Sequence, residues 1–395
     1  MLLSVALIII TSLILSQIFA LVKFPKIIGM ILAGIILGPF VFDLISPDIL
    51  DISAELRQIA LIVILIRSGL SLDLEDLKKV GRPAILLSFV PAAFEMIAII
   101  IFAPILFGIS YLDAALLAAV VAAVSPAIVI PRMISLLKNG YGNDKKIPQM
   151  LLASSTVENI VIITVFTSMI QIHQGSTFSI LTLLYVPIAI ILGIALGVFS
   201  GILFVQLFKK YHMRDTIKVL LIFSVGFLFI VLEKSLSGII PISGLLAVMT
   251  LGGIILKLHH ILAKRLVSKF EKIWVIAEIM LFVLVGAAID ISVMVNVGLI
   301  ALVLLVIAMI FRMIGVITAL IKTPLNPKEK VFVGFSYIPK ATVQAAIGSI
   351  PLALGVSNGL LILNVAVLAI MITAPIGAIL MDTTYHKLLN HTNIL

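Results

Sequence analysis

Glu158 and Asn159 lie in the middle of an apolar stretch, Leu151-Leu-Ala-Ser154-Ser155-Thr156-Val-Glu158-Asn159-Ile-Val-Ile-Ile-Thr164. If the stretch is helical, Ser154 and Ser155 stand one turn before the carboxylate, at i−4 and i−3. A carboxylate, an amide oxygen and neighbouring hydroxyls are the hard ligands that a small alkali cation takes in preference to sulfur. The same carboxyl can carry a proton in place of the cation. Glu158, Asn159, Ser155 and Thr156 are therefore the candidate cation- and proton-binding residues. The plainer alternative is a buried Glu held permanently in an ion pair.

Three further charged residues stand deep in apolar stretches: Glu95, Arg312 and Lys340. A charge at the centre of a membrane helix costs about 2.5–3.5 kcal/mol, so each needs a partner or a task. Arg67 and Asp290 fall near the ends of such stretches, where side chains reach the interface. Glu95 and Arg312 are expected to form a buried ion pair, since either alone would leave an uncompensated charge. That pair is structural in the first reading and a gate in the second. Lys340 follows a proline. It is expected either to neutralise the carbonyl end of a half-helix or to pair with Glu158 when no cation is bound.

The elements that must hold these residues are membrane helices. The chain has 395 residues, 62% hydrophobic and 11% charged, without cysteine. Disulfides, thiolate metal sites and cysteine nucleophiles are thereby excluded. Apolar runs recur at roughly 2–21, 26–46, 54–71, 83–108, 112–136, 148–171, 178–208, 216–232, 239–256, 271–290, 296–321, 331–355 and 358–381, each near the ~20 residues a bilayer requires. The first is expected to be a helix and not a cleaved leader, because it lacks a basic start and a small-residue cleavage site. The Lys- and His-rich stretch at about 257–272 is expected to be an amphipathic connector on the cytoplasmic surface, joining two halves of the chain, and the six histidines fall in loops or tails. Alternate loops hold 22 of the 27 lysines and arginines, among them Lys23, Lys78, Lys79, Lys209, Lys264 and Lys330. Basic loops stay cytoplasmic, which puts the N-terminus outside and the C-terminus inside. The net charge of +9 is thus topological and gives no reason to expect nucleic acid.

Two of the spans are interrupted. Span 5 contains Ser125-Pro126-Ala-Ile-Val-Ile-Pro131-Arg132, and span 12 contains Tyr337-Ile-Pro339-Lys340-Ala-Thr342-Val-Gln344. Proline removes a donor and clashes with the preceding turn. Lipid satisfies no freed backbone group, so such breaks persist only within protein or beside water. One broken helix in each half, seven helices apart, has the arithmetic of an inverted repeat with a site near the midplane. Glu95 and Arg312 precede their respective breaks; Glu158 and Asn364 follow them. A protein that moves something small across a bilayer is expected.

These residues resemble the monovalent cation:proton antiporters, in the branch shared by bacterial and animal Na+/H+ antiporters. Besides the two broken motifs, Gly29-Met-Ile-Leu-Ala-Gly-Ile-Ile-Leu-Gly38-Pro39, Phe-Val-Pro91-Ala-Ala-Phe-Glu95 and Phe-Arg312-Met carry the likeness, which covers essentially the whole chain. The resemblance implies an all-α integral membrane protein of about thirteen helices, in which broken helices 5 and 12 cross. It implies one domain over 1–395, with a core at about 83–171 and 296–381 and a dimerisation side at about 2–71 and 216–290. It also implies elevator-type exchange of Na+, or Li+, for H+ at a helix 6 carboxylate, in a homodimer of the plasma membrane, with no enzymatic activity and no cofactor. The family typically has Asp-Asp or Asn-Asp where this chain has Glu158-Asn159. A single titratable carboxyl remains, because an amide releases no proton. Electroneutral exchange is the first expectation; electrogenic exchange, with Lys340 also releasing a proton, K+/H+ exchange and a fold repurposed without transport are the alternatives. A channel would line its pore with rings of groups from several subunits. An intramembrane enzyme would need a base beside Ser125, Ser154 or Ser155, and no histidine lies within the spans.

Overall fold

Prolines and glycines set many of the helix ends, and four interruptions fall inside apolar runs. The computed structural model describes residues 1–22, 24–71, 81–173, 180–236 and 240–391. Lys23, Lys78 and Lys79, counted above among the basic loops, lie outside the described residues, as do the edges of the spans begun at 178 and 239. The helices are α1 (Leu2–Leu21), α2 (Lys26–Leu37), α3 (Pro47–Asp51), α4 (Ser53–Ser71), α5 (Arg82–Leu87), α6 (Val90–Phe107), α7 (Tyr111–Val121), α8 (Pro126–Lys138) and α9 (Ile147–His173). They continue as α10 (Ile180–Lys210), α11 (Asp215–Ser235), α12 (Gly244–Leu258), α13 (His260–Ala287), α14 (Ile291–Ala319), α15 (Pro327–Ser336), α16 (Thr342–Ile347), α17 (Ile350–Ala353) and α18 (Gly359–Leu388). Among the described residues, eight segments are long and apolar enough to cross a membrane by length and composition. The chain is an integral membrane protein, helical almost throughout.

Both expected breaks are present. Residues 122–125 separate α7 from α8, and 337–341 separate α15 from α16. Pro126 takes the first position of α8, where its missing N–H costs nothing. Pro131, expected to share in that break, lies inside α8 without interrupting it; a single lost bond does not unwind a half-helix whose neighbours hold it. Two further interruptions were not foreseen. The run at 83–108 divides at Ser88–Phe89, with Pro91 in the first turn of α6, and the run at 331–355 divides again at Gly348–Ser349. The run at 26–46 stops being helical at Leu37, ahead of Gly38-Pro39.

The stretch at 257–272 is also not a separate connector. α13 begins at His260 and continues unbroken into the apolar run, burying Leu262, Ala263, Leu266 and Phe270 along one face. That spacing is the helical stripe of an amphipathic segment, here continuous with the span that follows. His173, His260 and His386 likewise belong to helix ends and not to loops. Asp290 caps α14, accepting from the Ser292 N–H at 2.9 Å. Arg67 faces Glu271 at 3.7 Å.

The chain forms two compact units. Unit 1 comprises Met1–Ala54, Leu74–Ile162 and Leu281–Leu395; unit 2 comprises Glu55–Asp73 and Ile163–Met280. In unit 2, Gly193, Gly197 and Gly201 of α10 lie against Ser243, Ala247, Thr250, Leu251 and Ile254 of α12, so closely that an added Cβ would collide at each. In unit 1 the repeat is visible as matched caps. Ser110 caps α7 with Asp113 three residues on, and Asn326 caps α15 with Glu329 three residues on. Their C-caps, Ala122 and Tyr337, follow the N-caps by 12 and 11 residues. Each acid then receives a group from the start of the other repeat's next helix. Asn358, at the head of α18, donates to Asp113 at 2.8 Å; Lys145, just before α9, pairs with the fully buried Glu329 at 2.8 Å.

Candidate ion site at the helix crossing

The four deeply placed charges converge within unit 1, all with fully buried side chains. Arg312 of α14 is the hub. Its NH1 donates to Glu95 and to the carbonyl of Ala122. NH2 donates to Glu158 Oε1 at 2.7 Å, and Nε donates to the carbonyl of Tyr337 at 2.7 Å. Ala122 and Tyr337 are the C-caps of α7 and α15, so one guanidinium closes the carbonyl ends of both half-helices. Those ends carry the negative pole of the helix dipole. The planar fork of Arg supplies several donors at once, which a single ammonium cannot do.

Lys340 does something other than either expectation. Its Nζ lies 2.8 Å and 3.0 Å from the two oxygens of Glu95, and Arg312, not Lys340, holds the half-helix carbonyls and Glu158. Its backbone N–H donates to Thr373 Oγ1 at 3.0 Å, tying the second break to α18. Pro339 packs on Gly377, where an added Cβ would overlap the ring. Two carboxylates and two cations thus form a chain, Glu158–Arg312–Glu95–Lys340, whose formal charge is zero when all four are ionised. Neutrality is what permits the cluster to be dry, since each uncompensated charge would cost several kcal/mol, roughly 3–5 on loss of one partner.

The crossing itself is made by backbone. The Ser125 N–H donates to the Pro339 carbonyl at 2.8 Å. Gln344 Nε2 donates to the carbonyls of Val121 and Ala123 at 3.1 and 2.7 Å, closing further carbonyls at the end of α7. The Tyr337 hydroxyl donates to the Leu87 carbonyl at 3.0 Å and lies 2.7 Å from Ser154 Oγ. Ser155 and Thr156 spend their hydroxyl protons on the carbonyl of Leu152 at 3.3 and 2.8 Å. Their oxygens keep lone pairs. Glu158 Oε2, Asn159 Oδ1, Ser125 Oγ, Thr342 Oγ1 and Gln344 Oε1 are buried without a hydrogen-bond partner among the described residues.

Of the residues singled out in the sequence, Glu95, Glu158, Arg312 and Lys340 meet directly. Ser125, Pro339 and Gln344 form the crossing, and Asn159, Ser155 and Thr156 share the α9 segment with Glu158. Pro126 only starts α8, and Pro131 lies a turn beyond the crossing. Asn364, the expected counterpart of Glu158, is buried on α18 with neither amide atom partnered among the described residues. The sequence reading missed Tyr337 and Thr373 as contacts and missed the double cap by Arg312. The one usable signal was that a buried Arg has more donors than a single carboxylate can accept.

Two half-helices with facing carbonyl ends, crossed over a neutral charge cluster in a membrane bundle, define a secondary-transporter fold. The solved sodium proton antiporter MjNhaP1 from Methanocaldococcus jannaschii at pH 8 has the same fold, with a TM-score of 0.83 over 97% of this chain and 97% of that one, at 20% identity. Sequence relatives include the mouse (Mus musculus) sodium/hydrogen exchanger 9B2, 33% identical over 383 residues, covering 92% of this chain and 69% of that protein. The human (Homo sapiens) sodium/hydrogen exchanger 9B1 is 32% identical over 386 residues, covering 92% and 72%. Residues 5–383 match the family model described as sodium/hydrogen exchanger, transmembrane. The chain belongs to the sodium/hydrogen exchanger family.

Proposed function

We propose that this protein exchanges a monovalent cation, Na+ first and Li+ or K+ as alternatives, for H+ across the plasma membrane, with Glu158 as the group for which the two ions compete. The observation that carries the reading is the set of unpartnered buried oxygens, Glu158 Oε2 and Asn159 Oδ1 on α9 with Ser125 Oγ at the crossing. Lone pairs out of contact with water and protein donors cost free energy unless something fills them. A dehydrated alkali cation is a chemically suitable occupant, and a proton on Glu158 is its rival.

Charge balance supports one-for-one exchange. The ionised cluster is neutral, so a bound Na+ brings the core to +1, and a proton on Glu158 in its place brings it to +1 as well. Both loaded forms then cross with the same charge, and the membrane potential does no net work on the cycle. In this reading the core at about 83–171 and 296–381 moves elevator-fashion against the parts at about 2–71 and 216–290, in a homodimer. A second reading rests on the Arg312–Glu158 pair: if that bond never opens, the site is locked and the fold serves without transport.

Proteoliposomes holding a pH dye decide between them. Adding Na+, Li+ or K+ to wild type should dissipate an imposed proton gradient, and Glu158→Gln should abolish the response. An unresponsive wild type with every ion sinks the exchange reading. A rate that changes with an imposed potential sinks electroneutrality alone.

A further inference from the structure

We propose that the surface of unit 2 formed by the ends of α10 and α12 and the start of α13 docks the headgroups of anionic phospholipids. Gly193, Gly197 and Gly201 meet Ser243, Ala247 and Ile254 in ascending order, so α10 and α12 run parallel and end on one side. Arg265 of α13 pairs with Asp215, the first residue of α11, at 3.1 Å, which brings the start of α13 to the same place. Lys209, Lys210, Lys257, Lys264, Lys269 and Lys272 are all exposed there. The two acids in these stretches are already engaged. Asp215 holds Arg265 and Lys218, and Glu271 faces Arg67. None of the six lysines has an acidic partner among the described residues.

A topological role explains which side these charges occupy but not their surroundings. Leu258 is 44% exposed, Ile261 is 70% exposed and Tyr211 is 50% exposed, standing among the lysines. Lys210 Nζ lies 5.5 Å from the Tyr211 ring centre. α13 meanwhile buries its other face, so its basic and apolar exposed residues form one amphipathic surface. Ammonium groups that reach headgroup phosphates, with apolar side chains between them for the glycerol level, match an anionic lipid surface. Two basic residues of unit 1 contrast with this: Arg132 is bound bidentate to Asp382 at 2.8 Å, and Lys145 is bound to Glu329.

Trp274 is the only tryptophan of the chain and lies on α13 two residues beyond Lys272. It serves as an energy-transfer donor to a dansyl acyl label carried on phosphatidylglycerol or, at the same density, on phosphatidylcholine. In phosphatidylcholine vesicles containing a trace of either probe, transfer from wild type should favour the anionic probe roughly threefold, since each basic residue near the surface attracts anionic lipid. The preference should vanish at about 0.5 M choline chloride, where surface charges are screened. It should also vanish in the triple variant Lys264→Gln, Lys269→Gln, Lys272→Gln and persist in Lys322→Gln, Lys328→Gln, Lys330→Gln, which loses as much charge elsewhere. Equal transfer to both probes in wild type overturns the proposal, as does a preference that survives salt or the first triple variant. Should that variant fail to insert, the salt arm on wild type decides alone.

Discussion

Replacing Arg312 with lysine keeps the charge and removes the fork, which isolates the double cap from the ion pairs. In the native protein the guanidinium serves two carboxylates and two half-helix carbonyls. A lysine ammonium has three donors and reaches its partners from one point, so it can retain Glu95 or Glu158 but not both carbonyls as well. The carbonyls of Ala122 and Tyr337 then lose their donor in a buried place, at about 1–3 kcal/mol each. The expected loss is therefore roughly 2–6 kcal/mol, before counting any weakening of the ion pairs. Thermal unfolding of the detergent-solubilised protein, followed by size-exclusion fluorescence, should show Arg312→Lys melting several degrees below wild type. Gln344→Leu, which frees the Val121 and Ala123 carbonyls by the same logic, should fall in the same direction. An Arg312→Lys protein that melts with wild type, while Arg312→Met is clearly destabilised, would refute the cap: charge alone would then hold the crossing.

Other expectations follow from the same geometry. Lys340→Met should leave Glu95 with Arg312 as its one cation and lower thermal stability by an amount typical of a broken buried pair, about 3–5 kcal/mol, which Glu95→Gln introduced together with it should partly restore. Asn159→Asp adds a second titratable carboxyl beside Glu158; two protons then exchange for one cation, the two loaded forms differ by one charge, and exchange measured under an imposed potential should become voltage-dependent. Because cation and proton compete for one carboxyl in the proposed cycle, the cation concentration for half-maximal exchange should rise about tenfold for each pH unit of acidification below that group's titration, and pH-independent values would contradict a shared site. Gly377→Leu drives a side chain into the Pro339 ring and should reduce folded yield far more than the same change at Gly298, which faces open space.

Much of the fold was legible because membranes make sequence blunt. The apolar runs and the two proline breaks each follow from the cost of putting charge or unpaired backbone in lipid, and that cost acts residue by residue. The same bluntness explains the errors. Pro131 looked like a break because a proline penalty can be read locally, whereas the support of the neighbouring turns cannot. The start of α13 looked like a separate amphipathic connector because a run of exposed lysines reads as the end of a span, whereas the buried stripe of Leu262, Leu266 and Phe270 runs on into it. The pairing of Glu95 with Arg312 was expected from the need to neutralise two buried charges, and the structure contains it.

What the sequence determined by itself is the inventory: two carboxylates, two cations, two broken helices and one amide next to Glu158. Who bonds to whom was decided only by the tertiary structure. Spacing cannot reveal that Ala122 and Tyr337, 215 residues apart in number, present their carbonyls to one guanidinium. Nor can it reveal that Lys340 turns to Glu95 while Glu158 is held by Arg312. Charges of a neutral set can be paired in more than one way at nearly equal Coulomb energy. The choice falls to geometry, to which fork can reach two helix ends at once and which ammonium is left with the remaining acid.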